Sequence, residues 1–526
     1  MAFPLLGART PKGAKPARPL IIIAPPAWIM KSEQQENRSA RQPARRVRLA
    51  HPGRLALRVV GMLLASSLVL GAASPAPRRP RLVMVILADT LRADRMSAYG
   101  YPRSTTPALE RIWARGATLF TQSYAAAAYT QVSKSSLLTG VRPSVHRLFG
   151  YKVDSWPAVP MSVQAYYRSK GFFAISANAN PNTPWFHAAY DVVWSEQPPG
   201  RYHPAARVVA EARKLLAKAG PDRDVYLFMQ FADTHLPYDP PVYDRSLFKG
   251  DRIGRHFAPR FDGFRSDTAG AATPAQRRNM ENRYDASLRY LDSQLAPFIE
   301  EMQKRYPEHM IVFTGDHGEG FLEHGEIGHG SAMYDTVLRV PLVVIDSERP
   351  KRTRARSDAL VTGLDLLPTL MERAGDGAVA RAYGGRSFLW ALTTTQPRKE
   401  PRLAMSESPY YDDGRTGFGG CWGLAYFYQP HWGDSTGSVV KLTTTGPRCG
   451  QLQQSVIHRE QWFSGADLTQ SRRLRPREAG ASQLDPLFAS AWPLPQSVEV
   501  KTIPLTPEEM QQLKALGYLN TGRQPN

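Results

Sequence analysis

The sequence is poor in cysteine, in long apolar runs and in acidic residues, and each shortage excludes something. Two cysteines among 526 residues, Cys421 and Cys449, rule out a disulfide-dense scaffold, and neither has the spacing of a thiolate zinc site. In an exported chain they would close one loop of the C-terminal part; two unrelated thiols is the equal alternative. The longest apolar stretch, VVGMLLASSLVLGAA at 59–73, has fifteen residues, short of the ~20 needed to span a bilayer. At most one membrane span is therefore available. Acidic residues number 46 against 67 Lys and Arg, a net charge of +21. Residues 1–58 hold twelve Lys/Arg against Glu33 and Glu36, so +10 of that surplus sits in a Pro/Arg-rich leader. A basic leader accounts for the charge without nucleic acid, and no nucleic-acid partner is expected.

The leader ends in Arg54-Leu-Ala-Leu-Arg58, then the apolar stretch, then SPAPRRP. A cationic region, a short apolar segment and the small residues Gly71 and Ala73 make a secretory signal. The expectation is an exported protein, periplasmic or secreted, with an N-terminal signal anchor as the alternative and the one contact with a membrane.

What the sequence does have is apolar runs that end in aspartate. LVMVILA (82–88) stops at Asp89, VYLFMQFA (225–232) at Asp233, MIVFTG (310–315) at Asp316, and LRVPLVVI (338–345) at Asp346. Such runs read as strands buried on both faces, and helical patterns at Pro107–Trp113, Ala205–Ala219 and Tyr284–Lys304 alternate with them. The fold class is therefore α/β, a sandwich around a mostly parallel sheet. Ligands of such sheets gather beyond the carboxyl ends of the strands, where these aspartates would lie. After about residue 390, Gly, Pro, Thr and Tyr become frequent and SVVKLTTTG reads as an antiparallel strand. Three regions follow: 1–80 as leader and linker, 81–390 as the main domain, and 391–526 as a smaller α+β subdomain. Residues 249–280 read as a surface insertion, and Thr506-Pro-Glu-Glu509 as the capping box of a last helix.

Thr314-Gly-Asp-His-Gly-Glu319 carries the clearest chemistry. Adjacent Asp316 and His317 at a strand end can both turn to one cation, and hard oxygen with imidazole suits Ca, Mg, Mn or Zn without choosing among them. Asp89 supplies a third ligand. Thr130, in AAYTQVSKSSLLTG, supplies a hydroxyl at a helix start, which a cation would acidify. The bland readings are a turn-capping Asp89, a solvated Lys134, and structural loop histidines at His235, His324 and His329.

Four stretches together resemble the sulfatase family of the alkaline phosphatase superfamily. They are ILADTLRADRMSAYGYPRSTTPALERI, YTQVSKSSLLTGVRPSVH, FADTHLPYDPP and FTGDHGEGFLEHGEIGHGSAMYDTVLRVPLVV. The resemblance implies an alkaline-phosphatase-like sandwich and one divalent metal ion held by Asp89, Thr130, Asp316 and His317. It places Thr130 at the nucleophile position. Lys134, His235 and His329 become catalytic and substrate-binding groups for an anionic sulfate or phosphate ester. A second metal at Asp233, His235 and His329 is the alternative that two-metal relatives suggest. The chain departs from the family where Cys or Ser becomes Thr130, Pro becomes Val132, Arg becomes Lys134 and a second Asp becomes Thr90. Formylglycine chemistry is therefore not the expectation. The expected function is an exported, metal-dependent, sulfatase-like ester hydrolase. The alternatives are a phospho-group transferase of phosphoethanolamine or glycerol-phosphate type and an inactive anionic-glycan-binding protein.

Overall fold

A computed structural model of the chain describes residues 79–148, 161–244, 273–411, 418–445 and 461–491, short stretches within these aside. The leader with its apolar stretch, Cys449, most of the 249–280 stretch and the 506–517 segment lie outside the described residues. Among the described residues, no helix is long and apolar enough to cross a membrane.

The strands in chain order are β1 (Arg81–Ala88), β2 (Ala117–Tyr124), β3 (Phe173–Asn178), β4 (Val192–Ser195), β5 (Val225–Phe231), β6 (Glu308–Gly315), β7 (Gly320–Phe321), β8 (Ile327–Gly328), β9 (Leu342–Asp346), β10 (Arg356–Thr362), β11 (Arg402–Tyr411), β12 (Phe418–Gln429), β13 (Val439–Thr445) and β14 (Gln461–Ser464). Eight form the main sheet in the order β10-β2-β9-β6-β1-β5-β3-β4. The central strands β6, β1, β5, β3 and β4 are parallel, and β9 runs against both its neighbours. The continuous apolar run of β1 follows from burial on both faces. Leu82, Met84 and Ile86 enter the core shared with helices Ala205–Ala219 and Pro274–Arg305. Val83, Val85 and Leu87 enter the core on the other face, with Tyr166, Tyr167 and Leu370.

Two sequence expectations are corrected. Asp346 does not join the other strand-end aspartates. Because β9 is antiparallel, Asp346 pairs in register with Met310 at the start of β6 and takes an ion pair from Arg373 at 2.8 Å. The helix expected from Tyr284 begins ten residues earlier, at Pro274, inside the supposed insertion. Its signal is plain in retrospect: Thr273-Pro-Ala-Gln276 is a capping box with Pro at the first position.

The second sheet, β11-β12-β13-β14, is antiparallel throughout. It supports the helix Thr130–Thr139. Ala127, Tyr129 and Val132 share a core with Met405, Trp422 and Leu424. Glu407 N–H donates to the Ala126 carbonyl at 2.9 Å and Ser406 Oγ to that of Ala125 at 2.5 Å. Beyond the helix, the buried Glu407 carboxylate accepts from the Arg142 guanidinium, and from Ser144 through its N–H at 2.9 Å and hydroxyl at 3.1 Å. Removing one partner of a buried charge pair leaves the other uncompensated. Glu407→Ala should therefore lower unfolding free energy by about 3 kcal/mol or more, measured by urea titration, whereas Glu407→Gln, which keeps the acceptor oxygen, should lose less.

Candidate active site

The parallel strands deliver their carboxyl ends to one edge. Asp89 follows β1, Asp316 follows β6, Thr234 and His235 follow β5, and Asn180 follows β3. Asp89, Asp316 and His317 are buried, and each offers a ligand atom within 4.8 Å of the others. Their local backbone is held tightly. Thr90 has a left-handed φ of 56°, unusual for a β-branched residue. Its N–H donates to Asp316 Oδ1 at 3.1 Å, its hydroxyl to the Thr234 carbonyl at 2.5 Å, and its carbonyl accepts from Tyr284 Oη at 2.8 Å. So the residue that replaces a second Asp orients the Asp316 carboxylate with its backbone. Gly318 has a different constraint: a Cβ there would lie 2.2 Å from the Thr336 carbonyl oxygen.

Asp316 Oδ1 also accepts from the His317 N–H at 2.9 Å, whereas its buried Oδ2 has no hydrogen-bond partner. Asp89 Oδ2 accepts from Asn180 Nδ2 at 2.6 Å and Gln230 Nε2 at 3.4 Å. His317 Nδ1 lies 2.9 Å from the Gly318 carbonyl, which can only accept, so Nε2 presents its lone pair. That Nε2 is 3.0 Å from Thr130 Oγ1, 3.7 Å from Asp316 Oδ2 and 3.8 Å from Asp89 Oδ1. Asp89 Oδ1 stands 3.3 Å from the same hydroxyl, so the single Thr130 proton has two acceptors within reach. Thr130 is the first residue of its helix, and Ser133, one turn on, donates to the Asp316 carbonyl at 2.5 Å.

Burial and the charge of Asp89 push the Asp316 carboxyl well above its ordinary value. Asp89 stays below its own despite burial, held there by His235, His317 and the Asn180 hydrogen bond. Burial lowers His317 to about 3, His329 to about 4 and His235 in the same direction, so the imidazoles are neutral ligands or bases. An orphaned carboxylate oxygen, a second carboxylate and an imidazole lone pair are what a divalent ion needs. The residues fit the metal that the sequence resemblance implies.

The other expected residues surround this cluster. His329 packs against His317 and His235, with ring centroids 4.4 and 5.2 Å away, and Tyr202 stands 4.9 Å from His235. Lys134 is buried over the Phe228 ring, donates to Gln230 Oε1 at 2.6 Å, and is lowered by burial to about 7. It is not a solvated helix lysine. His324 stacks on Tyr334 at 3.7 Å. Asp233 does not come together with His235 and His329: its Oδ1 accepts from Ala205 N–H at 3.0 Å at a helix start, and among the described residues the one three-ligand group is Asp89, Asp316 and His317. The sequence reading missed Asn180, Gln230 and Tyr284, and gave Glu319 no role. Asn180 was open to the strand-end rule applied above; Gln230 and Tyr284 become visible only when β5 and the long helix are placed beside β1. Burial pushes Glu319 up to about 7, against His235 and a Tyr238 hydrogen bond.

Sheet order, flanking helices and second sheet define an alkaline-phosphatase-like α/β fold. A phosphonate monoester hydrolase of Agrobacterium radiobacter superposes with a TM-score of 0.56 at 16% identity, covering 78% of this chain and 94% of that one. A Bacteroides thetaiotaomicron protein from a glycosaminoglycan-metabolism locus gives 0.57 at 15%, covering 84% and 97%. At such identities the likeness concerns the fold alone. The sulfatase family model matches residues 81–376, more than half of the sequence, and the chain belongs to that family. The uncharacterized sulfatase YidJ of Escherichia coli (strain K12) is 32% identical over 145 residues, 26% of this chain and 27% of YidJ. An arylsulfatase of Clostridium perfringens is 22% identical over 363 residues, 56% of this chain and 75% of that protein.

Asp233 offers a pH test outside the ligand cluster. Its Oδ2 is enclosed without a partner, and burial raises the carboxyl from 3.8 to about 7 in spite of the Ala205 hydrogen bond. The folded chain thus keeps a proton that the unfolded chain releases, so the contribution of Asp233 to stability falls as pH rises from 3.8 to about 7. Asp233→Asn should be more stable relative to wild type at pH above this window than below it, as read by urea unfolding across the range.

Proposed function

We propose that this protein is a metal-dependent hydrolase of sulfate or phosphate esters that uses Thr130, unmodified, as its nucleophile. The observation that carries the reading is the Thr130 hydroxyl, which begins a helix 3.0 Å from the His317 Nε2 lone pair and 3.3 Å from Asp89 Oδ1. Asp89, Asp316, His317 and Thr130 would hold one divalent ion, which supplies Lewis-acid stabilisation of the developing alkoxide and of the ester oxygens.

The chain's own groups account for the remaining steps. Thr130 Oγ1 attacks sulfur or phosphorus as the bond to the leaving oxygen breaks, giving a threonyl ester. The hydroxyl proton lost by Thr130 is balanced by one gained by the leaving alcohol, through His235 or His329. Water then cleaves the threonyl ester and restores the hydroxyl. Lys134 contributes positive potential from within the core, and Gln230 links its ammonium to Asp89. Because Thr130 bears a methyl group on Cβ, its oxidation would give a ketone and not the aldehyde of formylglycine. Export by the 1–80 leader belongs to the same reading and rests on the sequence.

Thr130→Ala should cut turnover by at least ~10³-fold while leaving the circular dichroism spectrum and metal content largely intact. The assay is a matched panel of aryl sulfate, phosphate monoester, phosphodiester and phosphonate, with intact-mass trapping of the threonyl ester. Undiminished turnover in Thr130→Ala sinks the nucleophile assignment. Product that appears only when an alcohol acceptor is supplied would make the protein a transferase. A second measurement addresses the ion: Asp316→Asn should lose bound divalent metal by elemental analysis, whereas Asp233→Asn should retain it.

A further inference from the structure

Glu319 has no role in the steps above, yet its side chain is tied to a residue that does. It is fully buried, and its peptide is held from both sides: its N–H donates to the Thr336 carbonyl at 3.0 Å and its carbonyl accepts from Arg92 Nη1 at 2.8 Å. One carboxylate oxygen lies 2.9 Å from His329 Nδ1. The other accepts from Tyr238 Oη at 2.8 Å, and the Tyr238 ring is packed between Tyr284 and Phe321. With Oε2 taking the Tyr238 hydroxyl, Oε1 faces Nδ1 directly; with that oxygen as the acceptor, Nδ1 of His329 is the donor and Nε2 carries the lone pair. With Nδ1 committed to Glu319, the rest of the His329 ring packs against His317 and His235.

We propose that Glu319 is a positioning residue that holds His329 in its Nδ1–H tautomer, so that Nε2 takes up and returns the proton exchanged with the ester. The proposal rests on the hydrolase reading of this site. The opposite tautomer would present an N–H where an acceptor is required. Tyr238 completes the device, because its hydroxyl fixes which way the carboxylate, or anything replacing it, is turned.

That last point makes the proposal testable without turnover. In Glu319→Gln the Tyr238 hydroxyl holds the amide oxygen, so the amide NH₂ faces Nδ1 and drives His329 to the Nε2–H tautomer. Adding Tyr238→Phe frees the amide to rotate and restores Nδ1–H. The measurement is ¹⁵N-histidine NMR of the full chain above neutral pH, as purified and after chelation, with His329→Gln to assign the signal. Nδ1–H in wild type, Nε2–H in Glu319→Gln and reversion in the double variant are expected. Nε2–H in wild type, or an unchanged tautomer in Glu319→Gln, overturns the proposal. Kinetics on the same proteins add a second arm: Glu319→Gln should lose ~10–100-fold in kcat on an alkyl ester but under ~3-fold on the activated 4-nitrophenyl ester, with KM little changed. Equal losses on both esters would mark Glu319 as structural only and also overturn it. Absence of turnover in wild type on the whole ester panel would instead defeat the hydrolase reading, while the tautomer result would still decide what Glu319 does to His329.

Discussion

Two carboxylates meet at the ends of adjacent parallel strands, in a place closed to water, and most of the molecule is organised around that meeting. Asp89 and Asp316 cannot both be ionised and buried at low cost without a balancing charge. Their hydrogen bonds are unevenly distributed: Asn180 and Gln230 serve Asp89, backbone N–H groups serve one oxygen of Asp316, and the other oxygen is left bare. A cation would resolve both the charge and the missing partner. The left-handed Thr90, the Tyr284 hydroxyl bridging to it, and the glycine at 318 all keep these carboxylates where an ion would meet them.

The second sheet is part of the same arrangement. Thr130 must stand at the start of a helix, beside His317, with its backbone in a set position. The helix carries little amphipathic pattern of its own and is buried along its whole length. One side meets the Asp89 carboxylate through Thr130 and the Asp316 backbone carbonyl through Ser133, and another meets β11 and β12 through Tyr129 and Val132. The second, antiparallel sheet thus sets the geometry of a residue far earlier in the chain. The branched apolar Val132, a departure from the family pattern, fills that shared core.

Much of this was legible in the sequence because burial on both faces writes a continuous apolar run, and strand ends are marked by polar residues. Those signals located β1, β5 and β6 and the aspartates after them. They failed at Asp346, since an apolar run has no direction and an antiparallel strand carries its terminal carboxylate to the opposite edge. The second metal at Asp233 was suggested by the resemblance and not by these signals; one oxygen of that carboxylate is taken instead by an N–H at a helix start. Tyr284 and Gln230 give no local sign at all: their partners lie well over a hundred residues away.

By itself the sequence determined the alternation of buried strands with helices, the family, and the residue types at the strand ends, because periodicity and local motifs are short-range properties of the chain. Only the tertiary structure decided which strand ends share an edge, which carboxylate oxygen is left without a partner, that Lys134 is enclosed, and that Glu319 holds His329. Those depend on sheet order and strand direction, which are set by packing between segments far apart in sequence, and on burial, which turns ordinary side chains into strongly coupled ones.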